Sequence, residues 1–424
     1  MICIEVGQCG IQVGSSLFKQ FEDENLSESA PLYPLTQFKQ LILDTERKTW
    51  RKRQQEDAGI FDTVYFDMGT TGRGNNWSHG FIEDSGLDGI LDSFRKMTEA
   101  SFRYDGCMLM HSLAGGTGSG LGSSSGETAI QDYNAMLTLA SLQASVDFIG
   151  LFPNDIILSN TARKLGLDSN CNSLRVSMDN LNSWASQALA GILLPVSQVS
   201  VDETVIQESF RGRFAGLNSE RTVTVDHTKS FSGWDLITQV TPMPSTKMAM
   251  FSSSQGVIDK SRFPLTRDSI SERWDDLFTE LNRNMCPTIP DQKRSCIGAR
   301  LNVRGIQGPE FWKRWPSIQG RWLPKLGCIL PDFCIDYQMS RIYGLDINSK
   351  KRSVDLCYNS DDVVPILKKI YSHVSQMYKQ RAYVHWYKKY AKENTEEMFT
   401  EAFETVDSIL DAYMGLSPQS HSSS

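Results

Sequence analysis

A glycine-rich turn directly after an apolar run is the part of this chain best suited to binding chemistry. Residues 114–120 read Ala-Gly-Gly-Thr-Gly-Ser-Gly, and the apolar run Cys107–Met110 precedes them. Glycines allow a tight turn whose backbone N–H groups point inward, and the Thr117 hydroxyl is a further donor. Such a turn can hold the oxygens of a phosphate group. A flexible surface loop explains the composition of this segment about equally well.

The spacing of the glycines excludes two common nucleotide-binding motifs. No GxxxxGK[ST] sequence occurs, so the turn is not a P-loop. Gly116, Gly118, Gly120 and Gly122 also miss the GxGxxG register of a dinucleotide-binding fold. A dehydrogenase further needs a ribose-binding acid at a fixed distance after the loop, and the sequence has none there. The turn therefore indicates a phosphate loop of another kind.

Three further segments occur in order with this turn. Residues 7–14 read GQCGIQVG, residues 74–77 read GNNW, and residues 383–387 read YVHWY. With the turn at 114–120, these motifs resemble the tubulin family, and matches extend over most of the chain. The resemblance implies a GTP-binding protein with Mg²⁺ as its metal.

Finer features resemble one branch of that family, delta-tubulin. They are residues 130–139 (IQDYNAMLTL), the stretch from residue 351 onward, and alanine at position 114. This branch is a centriole and basal-body protein rather than a bulk microtubule subunit. The resemblance implies a structural subunit or cap of centriole and basal-body microtubules in the cytoplasmic cytoskeleton. It would assemble by longitudinal contacts with other tubulins, and centriole and basal-body proteins would be further partners. A nucleotide-free scaffold with a decayed pocket and a polymerising GTPase are the alternatives.

Alternating strand and helix signals predict an α/β fold. The expected architecture is a doubly wound, mostly parallel sheet of tubulin/FtsZ type, a smaller α+β second domain and a C-terminal helical hairpin. Predicted strands of the first domain are 2–6, 41–44, 64–66, 107–110 and 146–151. The predicted organisation is a GTP-binding domain ending in a central helix (1–195), an inserted or lengthened loop (196–233), an intermediate α+β domain (234–362), C-terminal helices (363–416) and a disordered tail (417–424).

Amino-acid composition indicates which classes of partner and which cellular compartment the protein suits. The 424 residues carry a formal net charge of −7, which disfavours general nucleic-acid binding. No apolar run approaches the roughly 20 residues that span a bilayer, and we expect no secretory signal. The nine cysteines are scattered without CxxC pairs, which is typical of a reducing compartment and disfavours a disulfide framework or a zinc site.

The family resemblance implies a nucleotide site residue by residue. The nucleotide-binding set is Gln8, Cys9, Gln12, Asn75, Asn76, Gly115, Gly116, Thr117, Gly118, Glu127, Asn154 and Asn182. Backbone N–H groups of the glycine turns and of residues 75–76 would hold the phosphates. Cys9 would lie against the base, Glu127 would touch the ribose, and Asn154 and Asn182 would read guanine. Either asparagine alone would more often be a helix cap.

Asp44 and Glu46 follow an apolar run and match the family's acidic loop beside Mg²⁺. Carboxylate oxygens are the ligands that this hard cation prefers. A solvated strand end is the alternative interpretation. The family's proline after this loop is replaced by Arg47, and its base-stacking aromatic is replaced by Met178.

Two other departures concern the phosphate turn and hydrolysis. After the turn, residues 121–126 disfavour helix, and about two dozen family residues, roughly one crossover unit, are lacking. The loop that would complete a neighbour's active site, residues 233–238, keeps Asp235 but has Thr238 where an acid is expected. Threonine cannot orient an attacking water as a carboxylate would. We therefore expect no catalytic residue in this chain and at most weak GTPase activity.

Overall fold

The computed structural model describes residues 1–25, 38–44, 51, 53–55, 61–67, 76–82, 87–101, 104–113, 130–164, 176–194, 196–200, 224–229, 231–257, 267–286, 294–305, 309–328, 334–340 and 351–416. Its strands are β1 (Ile2–Val6), β2 (Lys39–Asp44), β3 (Asp62–Asp67), β4 (Cys107–Met110), β5 (Ile149–Leu151), β6 (Val196–Ser200), β7 (Thr224–Lys229), β8 (Met248–Val257), β9 (Cys296–Arg304), β10 (Ile335–Ser340) and β11 (Lys351–Ser360). Its helices are α1 (Gly7–Asn25), α2 (Trp77–Ile82), α3 (Leu87–Glu99), α4 (Gln131–Ser145), α5 (Asn154–Lys164), α6 (Met178–Leu193), α7 (Gly233–Val240), α8 (Arg267–Asn284), α9 (Pro309–Leu326), α10 (Val363–Lys379), α11 (Val384–Ala391) and α12 (Thr395–Met414), with a 3₁₀ turn at Lys392–Asn394.

Sheet A is parallel and has the strand order β3-β2-β1-β4. The β-branched residues of β1 (Ile2, Ile4 and Val6) and the full burial of β2 suit strands that are covered on both faces. The chain passes from β1 to β2 and β3 on one side, whereas β4 pairs with β1 on the other side. The winding direction therefore reverses between β1 and β4, and this doubly wound topology confirms the predicted fold class.

Sheet B is mixed and has the order β10-β9-β11-β8-β5. Its strand β11 runs antiparallel to both β8 and β9. One face packs on α8 and α9 around a buried core that includes Trp274, Leu301 and Trp322. This sheet with its helices is the α+β second domain that the sequence predicts.

The strand β5 corrects the prediction for residues 146–151. We expected this strand in the sheet of the first domain, but Ile149–Leu151 pairs with β8 in sheet B, with Ile149 opposite Met248. Within the described residues, β4 pairs only with β1, and its Leu109 side chain is 44% exposed. Strand β4 therefore lies at an edge of the described sheet.

The central helix α6 connects the two sheets. Its apolar stripe, which includes Leu181, Trp184 and Ala188, is buried against Leu17 and Phe18 of α1. The side chain of Ser177 caps its first turn by accepting from the N–H of Asn180 at 3.3 Å. The helix ends at Leu193, before Pro195, as the sequence predicts.

The region predicted as an inserted loop contains a two-stranded ribbon in its described part. Strands β6 and β7 are antiparallel, with Val196 opposite Lys229. The hydrolysis loop expected at residues 233–238 is instead the first part of α7, whose N–H of Asp235 donates to Ser232 Oγ at 3.3 Å. The domain boundaries themselves stay predictions, and the tail at 417–424 lies outside the described residues.

The C-terminal part packs as a helical layer on α4. Val374 of α10 and Phe399 of α12 share a core with Tyr133 and Leu137 of α4. The short helix α11 lies between the two long helices α10 and α12 along the chain. None of the helices in the described part of the chain is long and apolar enough to cross a lipid bilayer.

Candidate functional site

The candidate site begins at the switch point between β1 and β4. Helix α1 starts directly at Gly7, whose φ of +67° suits glycine because a Cβ would be strained there. In open α/β sheets, ligands bind outside the carboxyl ends of the strands at such a point. The first N–H groups of α1 lack intrahelical acceptors, so they can bind an anion. Gln8 is exposed and Cys9 half-buried in this first turn.

Contacts join this turn to the chain entering the predicted phosphate loop. A Cβ on Gly10 would lie 2.2 Å from the Met110 carbonyl oxygen, so α1 lies directly on the end of β4. The Cys9 thiol is hydrogen-bonded to Ser112, and burial raises the pKa of this thiol. Residues 111–113 lead into the 114–120 turn, which lies outside the described residues. The 7–14 motif therefore contacts the carboxyl end of β4 and the residue Ser112 that follows it.

Two predicted site residues make contact across α1 and α6. The Nδ2 of Asn182 donates to Oε1 of Gln12 at 3.4 Å, and Asn182 is 8% exposed. Asn154 is the first residue of α5 and is half-buried, one position after Pro153, whose carbonyl accepts from the N–H of Ile157. The helices α5 and α6 pack through Ile157 and Leu181. The assignment of both asparagines to a guanine base stays a prediction.

Asp44 is the last residue of β2 and is 2% exposed. Its register partner on β3 is Asp67, so two acidic residues end adjacent parallel strands. Sequence reasoning overlooked Asp67, although it directly follows the strand predicted at 64–66. Glu46 lies outside the described residues, and no group of three potential metal-ligating acids, histidines or cysteines occurs within them. The described residues thus contribute at most part of a Mg²⁺ site.

Asn76 and the 383–387 motif are joined by hydrogen bonds. The Asn76 side chain accepts from the N–H of His79 at 3.3 Å, which caps α2, and donates to the Trp386 carbonyl at 3.0 Å. Buried Asn134 accepts from the N–H of Trp77 at 3.1 Å and from the Tyr387 hydroxyl at 2.6 Å. Three of the segments that carry the resemblance therefore form one network. The Asn76 side chain has a structural role, and only its backbone N–H was predicted to bind phosphate.

The remaining predicted residues fall into two groups. The first group lies outside the described residues and consists of Asn75, Gly115, Gly116, Thr117, Gly118, Glu127, Glu46 and Arg47. The second group, Met178 and Thr238, is described. Met178, at the position of the expected base-stacking aromatic, begins α6 and is 57% exposed. Exposed Thr238 donates its hydroxyl to the Trp234 carbonyl of its own helix at 2.9 Å.

The described residues fit a nucleotide with Mg²⁺ in their donor chemistry. Helix α1 would offer N–H groups to phosphate, and the Asp44 carboxylate would be an oxygen ligand at the neighbouring strand end. The amide of Asn182 would offer a donor and an acceptor to a base. The fold and this donor set suit an α/β protein that binds a nucleotide.

Comparison with known proteins gives the family context. Residues 1–124 match the model for the Tubulin/FtsZ family, GTPase domain. The tubulin beta-1 chain of Suillus bovinus is 22% identical over 462 residues, which cover 97% of this chain and 94% of the relative. The tubulin beta chain of Schizophyllum commune is 22% identical over 471 residues, with the same coverage of 97% and 94%. The fold of this chain is thus tubulin-like, and its similarity to beta-tubulins extends over nearly its whole length.

His111, which directly follows β4 at the candidate site, should make the stability of the folded protein depend on pH. Burial lowers the pKa of its imidazole from 6.5 to about 4. The unfolded chain therefore binds a proton that the folded protein excludes, and stability falls as pH falls from 6.5 towards 4. Between pH 7 and pH 5, we expect the wild type to lose about 2 kcal/mol more than His111→Asn. Urea unfolding of both proteins at both pH values measures this difference, and equal losses would contradict the prediction.

Proposed function

We propose that this protein is a GTP-binding, tubulin-like structural subunit or cap of centriole and basal-body microtubules. It assembles by longitudinal contacts with other tubulins in the cytoskeleton of the cytoplasm, including the cilium, and its branch is delta-tubulin. The observation that carries the nucleotide part is the 3.4 Å contact between Asn182 and Gln12, beside the switch point of sheet A. The match of residues 1–124 to a GTPase-domain model supports the same proposal.

Hydrolysis is at most weak in this proposal. The residue at the expected acidic position is Thr238, and its hydroxyl is bound to the backbone of its own helix. A neutral side chain in that state does not position a water molecule for attack on a phosphate. Nucleotide would therefore act mainly as a structural ligand.

A nucleotide-free scaffold is the second candidate, and two observations favour it. Met178 offers no flat π face for a base, and the strand β5 belongs to sheet B rather than to sheet A. Both features weaken the walls of a base pocket without disturbing the hydrophobic core that α1 and α6 share. This candidate keeps the fold and the contacts to other tubulins but has no bound ligand.

The nucleotide content of the purified protein distinguishes these functions. The chain is purified without added nucleotide and denatured, and the released compounds are identified by chromatography. We expect GTP or GDP at one equivalent per chain. In titrations of the protein after nucleotide removal, we expect Asn182→Ala to lower GTP affinity roughly tenfold, since one hydrogen bond to the base is lost.

Asn180→Ala is the matched control, because Asn180 lies two residues before Asn182 in α6 and has an exposed side chain. Equal affinities of the two variants would contradict the role of Asn182. An empty wild-type protein with a folded circular-dichroism spectrum would support the scaffold. Rapid GTP turnover by the pure assembled protein would contradict the weak hydrolysis and support a polymerising GTPase.

A further inference from the structure

Two cysteines of the second domain lie side by side across a β-bridge. Cys296 begins β9, and Cys328 follows Gly327 just after α9. The two residues form an isolated parallel bridge, in which the N–H of Cys296 donates to the Gly327 carbonyl at 2.9 Å. Bridge partners lie about 4.8 Å apart, within the range of about 4.4–6.8 Å between the Cα atoms of a disulfide. The Cys328 thiol is also a hydrogen-bond partner of the Cys296 thiol.

The turn that presents Cys328 is fixed by its backbone. Gly327 has a φ of +66°, and a Cβ there would lie 2.0 Å from the Arg294 carbonyl oxygen. The turn that follows α9 is therefore packed against Arg294, which lies just before β9. The two sulfur atoms are therefore neighbours in the folded protein, and no rearrangement of the sheet is needed to join them.

The two thiols differ in their access to solvent. Cys328 is half-buried, whereas Cys296 is fully buried. A small oxidant therefore reaches Cys328 first, and Cys296 is placed to react with the oxidised sulfur. Burial and the Cys328 thiol raise the pKa of Cys296, so the second step depends on its proximity rather than on a high thiolate fraction.

A third thiol, that of Cys334, provides an internal comparison. It precedes β10, is 7% exposed, and lies close enough to Cys296 to contribute to its electrostatics. These three cysteines do not form a metal centre, since no metal-holding group occurs in the described part of the chain. Of Cys328 and Cys334, it is Cys328 that faces Cys296 across the bridge and is the less buried.

We propose that Cys296 and Cys328 are a redox modification site that hydrogen peroxide converts reversibly into an intrachain disulfide. The Cys328 thiolate attacks one peroxide oxygen, the O–O bond breaks, and the leaving hydroxide takes a proton to become water. Cys296 sulfur then attacks the Cys328 sulfenic acid: an S–S bond forms, the S–O bond breaks, and the second water leaves with the thiol proton. The two sulfurs together lose two electrons, and one peroxide is reduced to two waters.

The disulfide would tie the first residue of β9 to the end of α9. Helix α9 packs on β10 through Trp322 and Tyr337. A covalent link at its end would therefore hold this helix on sheet B. The oxidised protein should have a higher unfolding temperature, because the link restricts the unfolded chain.

The full-length protein is treated with hydrogen peroxide, alkylated, digested without reductant and analysed by mass spectrometry. We expect one linked peptide pair containing Cys296 and Cys328, formed with the loss of two hydrogen atoms and reversed by dithiothreitol. Cys328→Ser should abolish this pair, whereas Cys334→Ser should keep it. Cys296→Ser should instead leave a sulfenic acid on Cys328 that dimedone traps.

Exposed Cys107 shows whether the oxidant was active in each sample. Oxidation of Cys107 without a link between Cys296 and Cys328 would overturn the proposal. A linked pair of Cys296 and Cys334 would also overturn it. An unchanged unfolding temperature of the linked protein would overturn the stabilising role.

Discussion

Replacement of Arg304 by methionine should lower the free energy of unfolding by about 3–5 kcal/mol, because it leaves a buried charge without its partner. Arg304 is 1% exposed, and its guanidinium lies 3.6 Å from the carboxylate of Asp355, which is fully buried. The same guanidinium donates to the carbonyl oxygens of Gly191 and of Leu194, the latter at 2.6 Å. Methionine has a similar length but offers neither charge nor donor.

The loss of stability is large because Arg304 and its neighbours cap the C-terminal end of α6. The last carbonyls of a helix lack intrahelical donors and carry partial negative charge. Sheet B supplies those donors through Arg304 and through Asn302, whose Nδ2 donates to the Gly191 carbonyl at 3.0 Å. Asp355 accepts from Ser253 at 2.6 Å and from Ser353 at 2.7 Å. Burial raises the pKa of Asp355, and Arg304 counters this shift.

Urea unfolding of the variant and of a matched control measures this effect. Arg314→Met makes the same substitution on the exposed surface of α9, where Arg314 lies 3.5 Å from Asp275. It should cost less than about 1 kcal/mol. Adding Asp355→Asn to Arg304→Met should restore part of the loss, since the uncompensated charge is removed. Equal losses for the two arginine variants would show that α6 does not depend on this cluster.

The strands of sheet A were predictable because their signals are local. An apolar run followed at once by Gly7 marks β1, and β4 is an apolar run that ends a few residues before the glycine-rich segment. Strand β5 was predictable as a strand but not in its position. Its three residues contain nothing that selects β8 over β4, because the choice depends on which other strands the chain provides.

Helix α9 forms although its local sequence disfavours a helix. Its prolines at 316 and 324 lie inside the helix, where each removes a donor and disfavours the helical backbone. Such interior prolines favour a break in the helix, yet the segment is helical from Pro309 to Leu326. Trp315 and Trp322 do contact Phe278, and the burial of such rings on α8 stabilises a helix that its own sequence disfavours.

The site was predictable in its residue types but not in its geometry. The resemblance supplied Gln12 and Asn182, but no spacing in the sequence shows that α1 and α6 bring their amides together. Ser112 and Asp67 were missed for the same reason. Their placement beside Cys9 and Asp44 depends on strand register, which only the folded sheet defines.

Replacement of Gly10 by alanine should both destabilise the protein and empty the candidate site. The added Cβ would lie 2.2 Å from the Met110 carbonyl oxygen, 3.1 Å from its carbon and 3.4 Å from the Glu5 carbonyl carbon. All three are backbone atoms of β4 and β1, so no side-chain rotation can relieve the contact. Helix α1 must therefore move away from the switch point, at a cost of about 2–3 kcal/mol.

That movement would carry away the N–H groups that we assign to phosphate, together with Gln12. We therefore expect the nucleotide content of Gly10→Ala to fall well below one equivalent under conditions where circular dichroism shows a folded protein. The control is Gly320→Ala on α9, another helical glycine, whose Cβ would meet no atom within 4 Å. There alanine should stabilise the helix by up to about 1 kcal/mol and leave nucleotide content unchanged. A folded Gly10→Ala protein that retains full nucleotide would show that the first turn of α1 does not bind it, whereas a loss in both variants would indicate a general effect of instability.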